Sequence, residues 1–207
     1  MKKISQFFTI LWLLTFVFPL WGNKKQYQVT IHTIPENISD FEKMRDKVAI
    51  TPEGGVAMLL VALKMYELNK IEGIKAIIVA TDMPLLSKGK GEKSYKGYVL
   101  SGSYTSMLNS VYNRFSYIAN SYFPQTSPEN NYQMGLGPFH LEFSLHQHKV
   151  QNDKEHAFFV PCSGADFPRP VQVKKNNRGI WKAANYSSIL VGIRPAKQAS
   201  KEPDDDL

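Results

Sequence analysis

The apolar residues of this chain change period once, at a proline- and glycine-rich stretch spanning residues 124–138, and that change constrains the fold more than any other feature. Upstream, in "TPEGGVAMLLVALKMYELNK", Val56, Leu59, Leu60, Leu63 and Tyr66 recur at helical spacing, as one face of a helix turned to a core. Downstream, Phe139, Leu141, Phe143 and Leu145 alternate with His140, Glu142, Ser144 and His146, the period of a half-buried strand. Helices first and sequential strands afterwards make an α+β fold, with N-terminal helices followed by an antiparallel β-meander. A small sheet of this kind either stays open or curls into a barrel-like form.

Local signals divide the chain further. Residues 23–38 read as an extended entry in which "YQVTIHTI" has strand character, and Ser39 with Glu42 forms a capping box for a short helix over 40–48. Thr51 is placed to cap the next helix, with Pro52 at its first position and Glu53 in its first turn. Gly54 and Gly55 either permit close packing or loosen that turn. "IEGIKAIIVATDMPLL" fits helical spacing although its β-branched run favours a strand, and a helix is the expectation. Met107, Leu108, Val111, Phe115 and Ile118 then form one helical stripe. After the loop "PQTSPENNYQMGLGP", the strand beginning at Phe139 is followed by "HAFFVPC", "RPVQVKK", "IWKAANY" and "SSILVGIRP", which complete an expected five-strand meander. Trp181 is expected to take a core or hinge role, packing the sheet edge or supporting "ILVGI", rather than an exposed recognition role.

The ends suggest a compartment. Met1, Lys2 and Lys3 precede an apolar run from Phe7 to Trp21, the form of an export signal. Its fifteen residues would span about 22 Å as a helix, less than a hydrocarbon core of roughly 30 Å, which favours cleavage after Gly22 over an uncleaved tilted anchor. The expectation is an exported protein, periplasmic or extracellular, with no integral membrane span after cleavage. Its organisation would be a signal peptide at 1–22, a single α+β domain at 23–195 and a flexible polar tail at 196–207.

Loss of Lys2 and Lys3 would lower the formal charge from +7 to +5. The remaining lysines are interspersed with acids and form no dense tract for a phosphate backbone, so no nucleic-acid partner is expected. Cys162 is the only cysteine, which excludes an internal disulfide, and "AFFVPC" places it as a buried small residue.

Two groups of residues are candidates for a site. His146 and His148 stand two apart on a strand and can approach one metal ion. Glu142 lies about 13 Å from His146 along an extended strand, so a zinc ion would need a third ligand from across the hairpin, with His156 or Asp153 in reach. If residues 150–155 connect the two strands, Cys162 falls opposite Phe143 and about 20 Å from His156, too far for a nucleophile and base. The bland alternative is a polar strand face with incidental histidines and no cofactor. Around the central loop, Tyr122, Asn130, Asn131 and Tyr132 offer flat aromatic and amide surfaces suited to a peptide or glycan. They suit a structural loop held by aromatic anchors equally well. The chain contains no G-x-S-x-G, H-E-x-x-H, C-x-x-C or phosphate-loop motif.

The phrases "TPEGGVAMLLVALKMYE", "SYFPQTSPENNY" and "GIWKAANYSSILVGIRP" together resemble an uncharacterised family of exported bacterial proteins classed as a domain of unknown function. The resemblance covers about residues 49–195 and implies one integral domain. It implies no reaction, catalytic residue or cofactor.

The leading functional expectation is an exported non-enzymatic binding or cell-envelope-associated domain, with a protein, peptide or glycan as partner. The alternatives are a secreted hydrolase, metal-dependent through His140, His146, His148 and His156, and a structural scaffold.

Overall fold

The computed structural model describes residues 26–114 and 116–197. The expected signal peptide, Phe115 of the helical stripe and the tail beyond residue 197 lie outside the described residues. Strand β1 (Gln26–Ile31) leads into helices α1 (Ile38–Val48), α2 (Pro52–Leu68) and α3 (Lys70–Ala80). A hairpin of β2 (Leu86–Lys88) and β3 (Tyr98–Leu100) precedes α4 (Gly102–Tyr112). Strands β4 (Phe139–Leu145), β5 (Glu155–Val160), β6 (Arg169–Lys175) and β7 (Trp181–Asn185) follow. Among the described residues no helix is long and apolar enough to cross a membrane.

The sheet is antiparallel in the order β1-β4-β5-β6-β7. Its β4 to β7 portion is the expected meander, but the fifth strand is β1, paired from Gln26↔Ser144 to Ile31↔Phe139. "SSILVGIRP" is not that strand: Ser187–Leu190 forms a 3-10 turn that buries Ile189 and Leu190. β1 and β7 are the two edges and do not pair, so the sheet is open rather than a closed barrel.

Helix α2 starts as its sequence dictates. The Thr51 hydroxyl accepts from the Gly54 amide at 3.2 Å, and Pro52 occupies the first turn, where its missing N–H costs nothing. The expectation of a single buried face was too narrow. Ala57, Met58, Val61, Ala62 and Met65 are buried along with Val56, Leu59, Leu60 and Leu63, because α2 runs between the sheet and helices α1 and α3. A helix that is apolar on every side must be covered on every side. Gly55 sets the approach to the sheet, since a Cβ there would lie 2.8 Å from Trp181 Cβ. Helices and sheet thus share one continuous core.

Other boundaries differ from the sequence reading for local reasons. The cap of α1 is Asn37, whose Oδ1 accepts from the Asp40 amide at 3.0 Å, so the helix begins two residues ahead of the Ser39 capping box. The ambiguous segment after α2 is helical, because Asn69 Oδ1 accepts from the amides of Ile71 and Glu72 at 3.0 and 3.2 Å and starts α3 without an intervening loop. Helix α4 stops at Tyr112 instead of running to Ile118. The first two residues assigned to the tail are held: Ala196 N donates to Tyr117 Oη at 2.8 Å, and Lys197 N to Pro128 O at 2.9 Å.

Candidate functional site: a seam in the sheet

Strands β4 and β5 pair only at Ser144↔Phe159 and Leu145↔Phe158, although β4 begins five residues earlier, at Phe139. Beyond Val160 the chain turns away from β4. Pro161 contributes no amide to a ladder, and the Ser163 amide instead donates to Ser121 O at 2.9 Å. His146 N donates to Ala157 O at 2.9 Å, so the even-numbered residues of β4 direct their main-chain groups toward β5. His140 and Glu142 therefore present their amides and carbonyls to a gap in the sheet.

The gap is a cleft of about 620 Å³. Its walls are Phe139 and Glu142 on one side and Cys162 on the other, with Phe123, Pro124 and the fully exposed Leu136 at its rim. Phe123 and Phe139 meet edge to face at 5.2 Å and stiffen the apolar end. The opposite end is polar. Ser163 Oγ lies 3.1 Å from both Ser121 O and Thr126 Oγ1, and the Cys162 thiol donates to Ser121 Oγ at 3.5 Å. His140, also in the cleft, uses Nδ1 against Thr30 Oγ1 at 3.0 Å. The thiol is thus engaged by a hydroxyl and the imidazole by a threonine, and the two are not paired as nucleophile and base.

The residues singled out around the central loop are distributed differently from the expectation. Tyr122 is buried against the polar end of the cleft, where its hydroxyl donates to Ile189 O at 2.8 Å, and burial holds the phenol far above its ordinary pKa. Tyr132 is wholly buried, stacks on Tyr117 at 4.7 Å and donates to Arg194 O at 2.8 Å. Asn130 braces the loop, accepting from the Ser127 amide at 2.9 Å and donating to Gln125 O at 2.8 Å. Asn131 alone is exposed, at φ 54°, and with Tyr132 at φ 55° it turns the chain through the left-handed region. Three of the four are internal fastenings of the loop.

The histidines are not brought together. The ring of His146 stacks on Phe159 at 4.3 Å, whereas His156 lies 5.2 Å from Trp181 with its Nδ1 2.8 Å from Gln151 Oε1. Ala157 opposes His146, and neighbouring strand residues point to opposite faces, so His146 and His156 are on different sides of the sheet. His148 follows in the exposed connection, its ring centroid 6.4 Å from that of His146. Among the described residues no three His, Cys, Asp or Glu side chains are grouped to hold a metal ion.

The register offset behind the sequence argument is two residues. Extending the observed pairs places Cys162 toward Leu141 rather than Phe143, although the ladder has already parted there. Sequence reasoning missed Ser121, Thr126 and Ser163 as neighbours of the thiol. The available signal was Pro161, which ends a strand at the point where the partner strand continues.

The fold, built on α2 and the sheet behind it, coincides with one family model over nearly all of its described length. The chain belongs to the family described as Domain of unknown function (DUF6935), matched over residues 33–197. The family match begins after β1 and takes in every other element, including both walls of the seam. No curated protein and no solved structure matches the chain.

Proposed function

We propose that this chain is an exported, non-enzymatic binding domain that takes an extended polypeptide segment into the seam between β4 and β5. The observation that carries this reading is the parted ladder: a strand edge with main-chain donors and acceptors at His140 and Glu142, facing a cleft large enough for side chains. Addition of a strand to such an edge obtains affinity from main-chain hydrogen bonds and selectivity from pockets for alternate side chains. The apolar rim of Leu136, Pro124 and Phe123 suits a hydrophobic residue of that segment, and the Ser121, Thr126 and Ser163 hydroxyls suit a polar one. The engagement of Cys162 with Ser121 and of His140 with Thr30 supports binding rather than hydrolysis. The charged start and apolar run at residues 1–22 support export.

The test is selection of peptides from a displayed random library against the whole chain, followed by titration of a selected peptide with amide NMR detection. Shifts are expected at His140, Glu142 and Ser163. Glu142→Pro removes an amide that faces the gap and is expected to weaken binding at least tenfold while the spectrum stays folded. Selected peptides that perturb another surface, or that bind Glu142→Pro unchanged, would overturn the reading.

A further inference from the structure

A second cleft, of about 240 Å³, lies where the C-terminal turn of α3, the β2–β3 hairpin and α1 meet the turn between β6 and β7. The register puts that turn at the end of the sheet remote from the seam, since Glu155 at the start of β5 pairs with Lys174 and Lys175 pairs with Trp181. The cleft is independent of the binding reading above, and its chemistry is electrostatic.

Four cations line it, Arg45, Lys96, Arg178 and Lys182, against the carboxylates of Glu42 and Asp82. The carboxylates are already engaged. Glu42 accepts from Lys96 Nζ at 2.6 Å and from Tyr95 Oη at 3.0 Å, and Asp82 Oδ1 caps the Met83 amide at 2.9 Å. Lys182 Nζ donates to Val79 O in the last turn of α3 and, among the described residues, forms no ion pair with a carboxylate. Arg45 is buried. Its Nη2 is 3.9 Å from Glu42, and Asp46 sits 2.8 Å from Nε but off the line of the N–H, which is left without an acceptor. Arg178 is exposed on the turn above them.

Arg45 already has two carboxylates beside it, so the charge left to answer is that of Lys182, a half-buried ammonium with no carboxylate partner among the described residues, which is costly unless an anion reaches it. Burial, with the Arg45 charge beside it, pushes the Lys182 ammonium down to about 8. An anion in the cleft would reverse that effect. The surplus of positive charge, part of which Asp46 takes up at Arg45, suits a group of between one and two negative charges. A phosphate monoester carries about −1.5 to −2 at neutral pH and matches the fork of a guanidinium. The remaining wall, Ile78, Met83, Leu86 and Tyr98, is largely apolar and suits a small organic body.

We infer that this cleft binds a small organic phosphate monoester, its phosphate held by Lys182, Arg45 and Arg178 and its body laid against Met83 and Leu86. The chemistry is the same in a soluble metabolite and in an exposed lipid headgroup.

The experiment is calorimetric titration of the whole chain with glycerol phosphate at constant ionic strength, with a parallel arm using vesicles that contain phosphatidic acid. Saturable one-to-one binding is expected in the soluble arm if the ligand is a metabolite, and in the vesicle arm if it is a headgroup. Lys182→Met and Arg178→Ala should each weaken it at least tenfold. Lys174→Ala, which removes a cation paired with Glu155 outside the cleft, should not. Arg178 is exposed, so its variant decides the matter if Lys182→Met does not fold. A second readout is the Lys182 side-chain pKa by carbon NMR, expected to rise by one unit or more in saturating ligand. Absence of saturable binding in both arms, or equal losses in Arg178→Ala and Lys174→Ala, would overturn the inference.

Discussion

Gly73 on α3 faces Tyr66 on α2 at a separation no side chain could occupy: a Cβ on Gly73 would lie 2.1 Å from Tyr66 Cα and 2.2 Å from its main-chain nitrogen. The conflict is with backbone, which cannot swing aside as a side-chain tip can. Gly73→Ala is therefore expected to destabilise the fold by about 3 kcal/mol, the upper part of the range for overpacking, despite the better helix propensity of alanine. Urea unfolding of the two proteins measures this, and a midpoint unchanged in the variant would show that α2 and α3 are not so closely apposed.

Glu67 joins α2 to the turn at residues 119–122. Its Oε1 accepts from the Ala119 amide at 2.6 Å, and its Oε2 lies 3.2 Å from Lys64 Nζ, which also reaches Asn120 Oδ1 at 2.6 Å. Burial, opposed by the Lys64 charge, pushes the carboxyl from an ordinary value of 4.5 up to about 7. The native state then holds a proton that the unfolded chain releases. Its contribution is complete below pH 4.5 and is lost as pH rises through about 7. Stability should thus fall across that window, and Glu67→Gln, which keeps an acceptor for Ala119, should remove roughly 2–3 kcal/mol of the fall. Parallel denaturation curves for the two proteins across the window would contradict this.

The Tyr132 hydroxyl fastens the central loop to the segment after the last turn through Arg194 O. Tyr132→Phe leaves that carbonyl without its partner and is expected to cost about 1–2 kcal/mol. Tyr132→Ala also empties the space against Tyr117 and should cost about 3–5 kcal/mol. Thermal unfolding checks both, and a selected seam peptide should bind Tyr132→Phe as tightly as the native chain.

His146 and His156 project from opposite faces of the sheet, so zinc offered to the folded chain has at most His146 and His148 together. Elemental analysis after dialysis without chelator is expected to find less than one zinc per chain. Stoichiometric zinc that disappears in the double variant His146→Ala, His148→Ala would mean that a third ligand reaches the pair in solution.

The legible parts of this fold share a property: their signals are local. Thr51, Pro52 and the apolar density after them announce α2, and the alternation from Phe139 to Leu145 announces β4 with its faces correctly assigned. The illegible parts depend on distant partners. Nothing near Gln26 says that β1 will pair with β4 across more than a hundred residues. Nothing in "SSILVGIRP" says that Ile189 and Leu190 are buried from a turn instead of a strand. The candidate sites were the least legible, because Tyr122, Asn130 and Tyr132 have the composition of a binding loop and the hydrogen bonds of a structural one.

Sequence alone determined the α+β class, the order of helices before the meander and the capped start of α2, since period, caps and proline positions act through neighbouring residues. Tertiary structure alone decided that α2 is enclosed, that β4 and β5 part beyond Ser144, and that Arg45 and Lys182 meet in one cleft. Those outcomes depend on which surfaces touch and on which main-chain groups find partners, and both are settled only when segments far apart in the chain compete for the same space.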